Sequence, residues 1–163
     1  QGDDSEVPVR FLEPNKLKTR KLQAGDIVIE ISGGSKDQPT GRTLYITDEI
    51  LNRLKMDVAP TSFCRLFRPK TIELGLFLGI YMQIIYKEGK TWQYQNQSTG
   101  ISNFQTKIFL ERELVATPSF ELILSFYQKI NPFLSKITSD ENQKLAELRD
   151  ALLPKLLSGE IEV

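Results

Sequence analysis

The chain has no histidine and a single cysteine, Cys64, among its 163 residues. The first absence removes Ser–His–Asp and Cys–His nucleophile systems and His-containing zinc sites, each of which needs an imidazole as base or ligand. The second excludes an internal disulfide and fits a reducing compartment. Cys64 sits in Ser62-Phe63-Cys64-Arg65-Leu66-Phe67 and reads as a packed strand residue. A Gly-x-x-x-x-Gly-Lys phosphate loop and a dinucleotide fingerprint are also missing, and no two acidic residues are placed as a paired general acid and base. Long apolar runs are lacking too. The longest, Leu74 to Ile85, is interrupted by Gly75, Gly79 and Gln83 and is too short and mixed for a bilayer span. The polar, acidic Gln1–Glu6 reads against a secretory signal. A cytoplasmic, non-catalytic protein is expected, with no cofactor or metal of its own and no membrane partner.

What is present is an ordinary globular composition, 40% hydrophobic and 26% charged. The net charge of zero conceals an asymmetry. Residues 1–110 carry 15 Lys and Arg against 12 Asp and Glu, and residues 111–163 carry 6 against 9. A mildly basic lobe with an acidic tail permits nucleic-acid binding without requiring it.

The lead-in to Gly25 is polar, with a basic cluster at Lys16, Lys18, Arg20 and Lys21. Gly25-Asp26-Ile27-Val28-Ile29-Glu30-Ile31 is β-branched and predicts a buried strand ended by Gly33-Gly34. A loop over Ser35–Thr40 and a second strand over Gly41–Ile46 follow. Thr47 caps a short helix over Asp48–Leu54, and Phe63–Arg68 reads as a strand closed by Pro69. Ile72–Lys87 fits both periods, and its length favours a helix. Thr91–Asn96 and Lys107–Leu110 have strand-like pieces around a polar loop, Gln95–Asn103, with Trp92, Tyr94 and Phe104 expected in the core.

From Thr117, a candidate N-cap followed by Pro118, apolar residues recur at Leu122, Phe126, Ile130, Leu134, Ile137, Leu145, Leu148, Leu152 and Leu156. Pro132 is expected to break or kink this helix, and Ser158-Gly159 to stop it. The first half of the stripe has the lobe to pack on. Beyond Ser139 little globular sequence is left to cover it, so Ile137, Leu145, Leu148, Leu152 and Leu156 form a seam for a partner helix. The whole is an α+β chain, with a globular lobe over 1–116 and a helical region over 117–163.

The string Leu148-Arg149-Asp150-Ala151-Leu152-Leu153-Pro154-Lys155-Leu156-Leu157-Ser158-Gly159-Glu160-Ile161 resembles the conserved-region helix of type I restriction–modification specificity subunits. Gly25-Asp26-Ile27-Val28-Ile29 looks like that family's recurrent Gly-Asp-hydrophobic strand. Ser98-Thr99-Gly100-Ile101-Ser102-Asn103-Phe104 is similar to the Thr-Gly loop before the last strands of its target recognition domains. The matches come in family order.

The resemblance implies a recognition domain with a spacer helix that pairs antiparallel with another, in the same chain or a second copy. It further implies double-stranded DNA as ligand, with modification (adenine methyltransferase) subunits that bind S-adenosylmethionine and restriction subunits as partners. One recognition domain and one helix correspond to half a subunit, and the strand at Gly25 comes early for the family. The alternative reading is an interaction domain that dimerises through its helix without binding DNA. Base edges are read best by amides and Arg. The candidate readers are therefore Lys36, Gln38 and Arg42 in one loop, and Gln95, Asn96, Gln97, Ser98, Thr99, Ser102, Asn103 and Gln105 in the other.

Overall fold

The fold grows from the corner at Gly25-Asp26, where the chain turns into its most buried strand. A computed structural model describes residues 7–34, 37–98, 101–138, 147–152 and 154–155. Strand β1 (Ile27–Glu30) lies between β3 (Thr43–Tyr45) and β4 (Cys64–Phe67), antiparallel to both. Its alternation decides its faces. Ile27 and Ile29 are buried, and Tyr45 and Phe67 stand opposite Ile27 on the same side.

Helix α3 (Ile72–Lys87) is packed on that side, as its length foretold. Thr71 caps it, accepting the Leu74 N–H at 3.2 Å. Gly75 and Gly79 seat it. A Cβ at Gly75 would overlap the Gly25 carbonyl oxygen, and one at Gly79 would lie 3.1 Å from the Tyr45 Cβ. Gly25 in turn has φ +92°, a left-handed conformation that side chains disfavour.

The chain expected as one strand over Gly25–Ile31, stopped by Gly33-Gly34, divides between two sheets. Past Glu30, Ile31 donates to the Phe63 carbonyl and accepts the Phe104 N–H. Strand β2 (Ser32–Gly34) then joins a second antiparallel sheet, ordered β2-β6-β5, with β5 spanning Gln95–Ser98 and β6 Ile101–Phe104. The segment expected as a polar loop is thus a hairpin. Its strands carry amides and serine where β-branched residues usually signal pairing, and tertiary packing of Phe104 overrides that composition.

Three further segments differ from their sequence reading. Lys90–Tyr94 is a 3-10 turn, and Lys107–Leu110 lies inside helix α4 (Thr106–Arg112). A four-residue apolar run cannot separate strand from helix, and here Thr106 and Phe109, three apart, are the buried positions. The lead-in forms helix α1 (Pro14–Arg20), with Pro14 at its first position. Trp92 is largely exposed, whereas Tyr94 and Phe104 are buried with Phe109 in a ring cluster of centroid separations 5.2–6.2 Å.

Helix α5 (Phe120–Thr138) starts later than expected. Ser119, not Thr117, receives the Leu122 N–H, and the Thr117 hydroxyl turns back to the Val115 carbonyl. The helix continues through Pro132. Pro132 and Gln128, whose carbonyl loses its partner, are both exposed, so water can take that bond. Ile123, not Leu122, is the buried first member of the stripe, and Phe126, Tyr127, Ile130 and Leu134 complete the packing on the core. Helix α2 (Asp48–Leu54), capped by Thr47 as expected, meets the far end of α5. There the Thr47 and Thr138 hydroxyls lie 3.2 Å apart, and Arg53 donates to the Thr138 carbonyl. The architecture is α+β, with a long helix toward the C-terminus.

Gly→Ala inside a helix gains about 1 kcal/mol of propensity, and overpacking costs about 1–3 kcal/mol. Gly79→Ala, with only a tight Cβ contact, should change the urea midpoint little. Gly75→Ala, which drives a methyl into backbone, should be destabilised by about 1–3 kcal/mol. Equal midpoints for the two variants would refute the close seating of α3.

Candidate nucleic-acid interface

The pleat of the hairpin sorts its amides into two sets. Gln95 stands opposite Phe104, and Gln97 opposite Ser102. Phe104 and Ser102 are buried, so this is the inner face. Asn96 stands opposite Asn103, which is also opposite Ser32 on β2, and this row forms the outer face. Both asparagines are exposed, and neither side-chain amide has a hydrogen-bond partner among the described residues.

On the inner face Gln95 acts as a strut. Its Oε1 accepts the Thr40 N–H at 2.9 Å, with the Thr40 hydroxyl at 3.3 Å, and its Nε2 donates to the Ser102 hydroxyl at 2.8 Å. Thr40 is fully buried. The two polar segments singled out in the sequence are thus joined, 55 residues apart, by one amide. They are joined on the side opposite the exposed asparagines.

Within residues 37–42, Gln38 is exposed. Arg42 is half exposed and held by Glu30 in a two-pronged ion pair, Nε to Oε2 at 3.0 Å and Nη2 to Oε1 at 2.7 Å. That pairing is the main cause raising the already high Arg42 pKa. Gln105 is half-buried at the start of α4, its carbonyl accepting the Phe109 N–H. Lys36 and Thr99 lie outside the described residues, and Gln97 and Ser98 are placed by their backbone in β5. Of the helix seam, Ile137, Leu148 and Leu152 are exposed, the last two in a helical stretch at 147–152. Leu145 and Leu156 lie outside the described residues.

A polar cluster that no sequence spacing announces fastens the base of the hairpin. The Glu113 carboxylate, its side chain only 2% exposed, accepts the Tyr81 hydroxyl, the Tyr94 hydroxyl at 2.6 Å and the Lys90 ammonium at 2.6 Å. Tyr94 immediately precedes β5. Burial alone would push the Glu113 carboxyl up, but hydrogen bonds from Lys90, Tyr81 and Tyr94 prevail and hold it below the usual range. Burial, then the bond to Glu113, pushes the Tyr94 phenol up to about 12. Glu113 also borders a cavity of about 430 Å³ lined chiefly by apolar side chains such as Leu66, Leu78, Met82 and Phe109. Its charged neighbours, Arg68 and Glu113, are both paired.

Among the described residues no group of three His, Cys, Asp or Glu side chains is arranged to hold a metal ion. No described helix is long and apolar enough to cross a membrane.

No family model matches the chain. Over 65 residues it is 43% identical to the type I restriction enzyme HindI specificity subunit of Haemophilus influenzae. The matched stretch covers 39% of this chain and 14% of that relative's length.

Two outcomes test the geometry. Gln95→Ala leaves the buried Thr40 N–H without its acceptor, a loss of about 1–3 kcal/mol. Amide exchange at Thr40 should accelerate correspondingly, and unchanged exchange would refute the strut. A carboxyl depressed in the folded state contributes stability that is present above its unfolded pKa, about 4.3, and is lost as pH falls through the folded value. Glu113→Gln should therefore lower stability at neutral pH and flatten its decline below about pH 4.3, as read by urea melts from pH 3 to 7.

Proposed function

We propose that this chain is a DNA sequence-recognition subunit, or half-subunit, of a type I restriction–modification complex, and that it performs no chemistry itself. The observation that carries the reading is the exposed outer face of the hairpin, with Asn96 and Asn103 side by side and their amides without a hydrogen-bond partner among the described residues. Amides are the side chains that pair with adenine edges in the major groove. The similarity to a specificity subunit and the Leu148–Ile161 motif support the same conclusion.

In this reading the lobe over 1–116 recognises one half of a bipartite duplex target. Region 117–163 is the spacer, and its first helix is seated on the lobe. Asn96 and Asn103 are the principal base readers, with Gln38, Ser98, Thr99 and Gln105 around them. Lys36 meets phosphate, while Gln95 and Ser102 hold the reading surface in shape and Arg42 stays with Glu30. Modification subunits, carrying S-adenosylmethionine, dock on this scaffold and restriction subunits join them in the cytoplasm.

Anisotropy titration with a duplex pool tests the reading. Binding should weaken with salt, with a log–log slope of about −0.9 for each phosphate neutralised. Absence of binding at low salt, with or without a modification subunit, would sink the proposal.

The exposure of Ile137, Leu148 and Leu152 favours a second component, pairing of the helical region with another copy or half-subunit. Each buried leucine contributes about 1.5–3 kcal/mol. Leu148→Asp with Leu152→Asp should give a monomer with a folded lobe in ultracentrifugation. An unchanged association state would refute helix pairing. Dimerisation without DNA affinity would identify an interaction domain instead.

A further inference from the structure

We infer that Asn96 and Asn103 form a two-adenine reader, each amide recognising one adenine, the two adenines lying no more than two base pairs apart. The inference rests on the DNA-recognition reading above and specifies which residues at that site set the sequence.

Register is the first argument. The two residues are directly opposite on adjacent antiparallel strands, and such pairs share a face with Cβ atoms about 4.5–5.5 Å apart. Successive base pairs are stacked about 3.4 Å apart. Two side chains leaving the sheet at that separation span neighbouring base pairs, or a pair and its next-but-one neighbour, without bending the strands.

Availability is the second argument. A side chain already committed to the fold cannot read a base without breaking that commitment. Gln95 is bonded to Thr40 and Ser102, and Ser102 is fully buried. Asn96 and Asn103 are exposed, with no partner to give up among the described residues. They project from a strand pair whose base is fixed by the Gln95 strut and the Glu113 cluster. The search cost of orienting them is therefore confined to two short side chains.

Chemistry is the third. An asparagine amide matches the major-groove edge of adenine in both senses: its Oδ1 accepts from the N6 amino group and its Nδ2 donates to N7. Guanine offers two acceptors there, and cytosine only a donor. Neither gives a short amide both bonds.

The test uses the full chain and a random duplex pool. Wild type should enrich sites containing two adenines within two base pairs. Asn96→Ala and Asn103→Ala should each relax one of those positions, by about 5- to 150-fold, and leave the other intact. Both positions are exposed, so thermal midpoints should match wild type. On the enriched site, 7-deazaadenine keeps base pairing but lacks the N7 acceptor. One such substitution should weaken wild type and have no further effect on the variant that lost the matching asparagine.

Three results would overturn the inference. Enrichment with both adenine preferences retained in both variants would remove these residues as readers and leave DNA recognition standing. A uniform loss of affinity across sequences would make them phosphate contacts. Failure of any duplex to enrich would take down the recognition reading as well.

Discussion

The buried carboxylate of Asp26 is the constraint on which the rest of the structure hangs. Its side chain is 2% exposed, and an anion so placed survives only with full compensation. Arg68 supplies it with two bonds of 2.8 Å, and the Gln23 N–H adds a third at 2.8 Å. The same guanidinium donates to the Lys21 carbonyl. One charge thereby ties the exit of α1, the start of β1 and the end of β4. Backbone bonds from Gly25 to Ile46 and from Ile46 to Asp26 bring in the end of β3. With those strands set, the bare backbone of Gly25 presents the surface on which Gly75 brings α3 down.

From that fixed sheet, placement passes outward through few links. Ile31 bonds to both sheets and carries the chain from one to the other. The hairpin is then held at its inner face by Gln95 and at its base by Tyr94 on Glu113. These are internal polar bonds replacing hydrophobic area that short, amide-rich strands cannot provide. Satisfied networks of this kind specify one geometry, and half-satisfied ones are worse than an apolar core. Losing Glu113 or Gln95 would therefore displace the hairpin as well as destabilise it.

What was legible in the sequence follows the range of the forces involved. β1, the Thr47 cap and α3 were readable because β-branched runs, side-chain capping and helix length act over a few residues. The α+β class followed from them. The hairpin is not legible because Gln95, Asn96 and Gln97 have the composition of solvated turns, and the pairing is enforced by Phe104 against Tyr94 and Phe109. Helix α4 is ambiguous with strand in sequence because Lys107–Leu110 is too short to show a period. The start of α5 was displaced by two residues, since Thr117 and Ser119 are equivalent caps in sequence and only one lies at the helix end. Among the candidate readers, composition put Gln95 and Asn96 in one class. Only the pleat separates a strut from a free amide. The Glu113 cluster gathers positions 81, 90, 94 and 113, and no local pattern could have predicted it.

The charge balance gives the last constraint on how such a lobe would act. Arg42 is paired with Glu30, Arg68 with Asp26, Lys90 with Glu113 and Lys21 with Asp57. Cations engaged in this way hold the fold and add little to phosphate attraction, which fits a lobe with only three positive charges in excess over residues 1–110. Under the proposed function, then, discrimination resides in neutral amides while affinity for one half-site stays low. Useful binding has to come from joining two such lobes, where the second contact occurs at an effective concentration set by the connector, and a connector that cannot hold the span forfeits it. A stiff helix seated on its own lobe meets that need better than a flexible linker. The bonds from Thr47 and Arg53 to Thr138 fix the last turn of α5 on α2, so the direction in which the chain leaves the lobe is set by the same body that orients the hairpin.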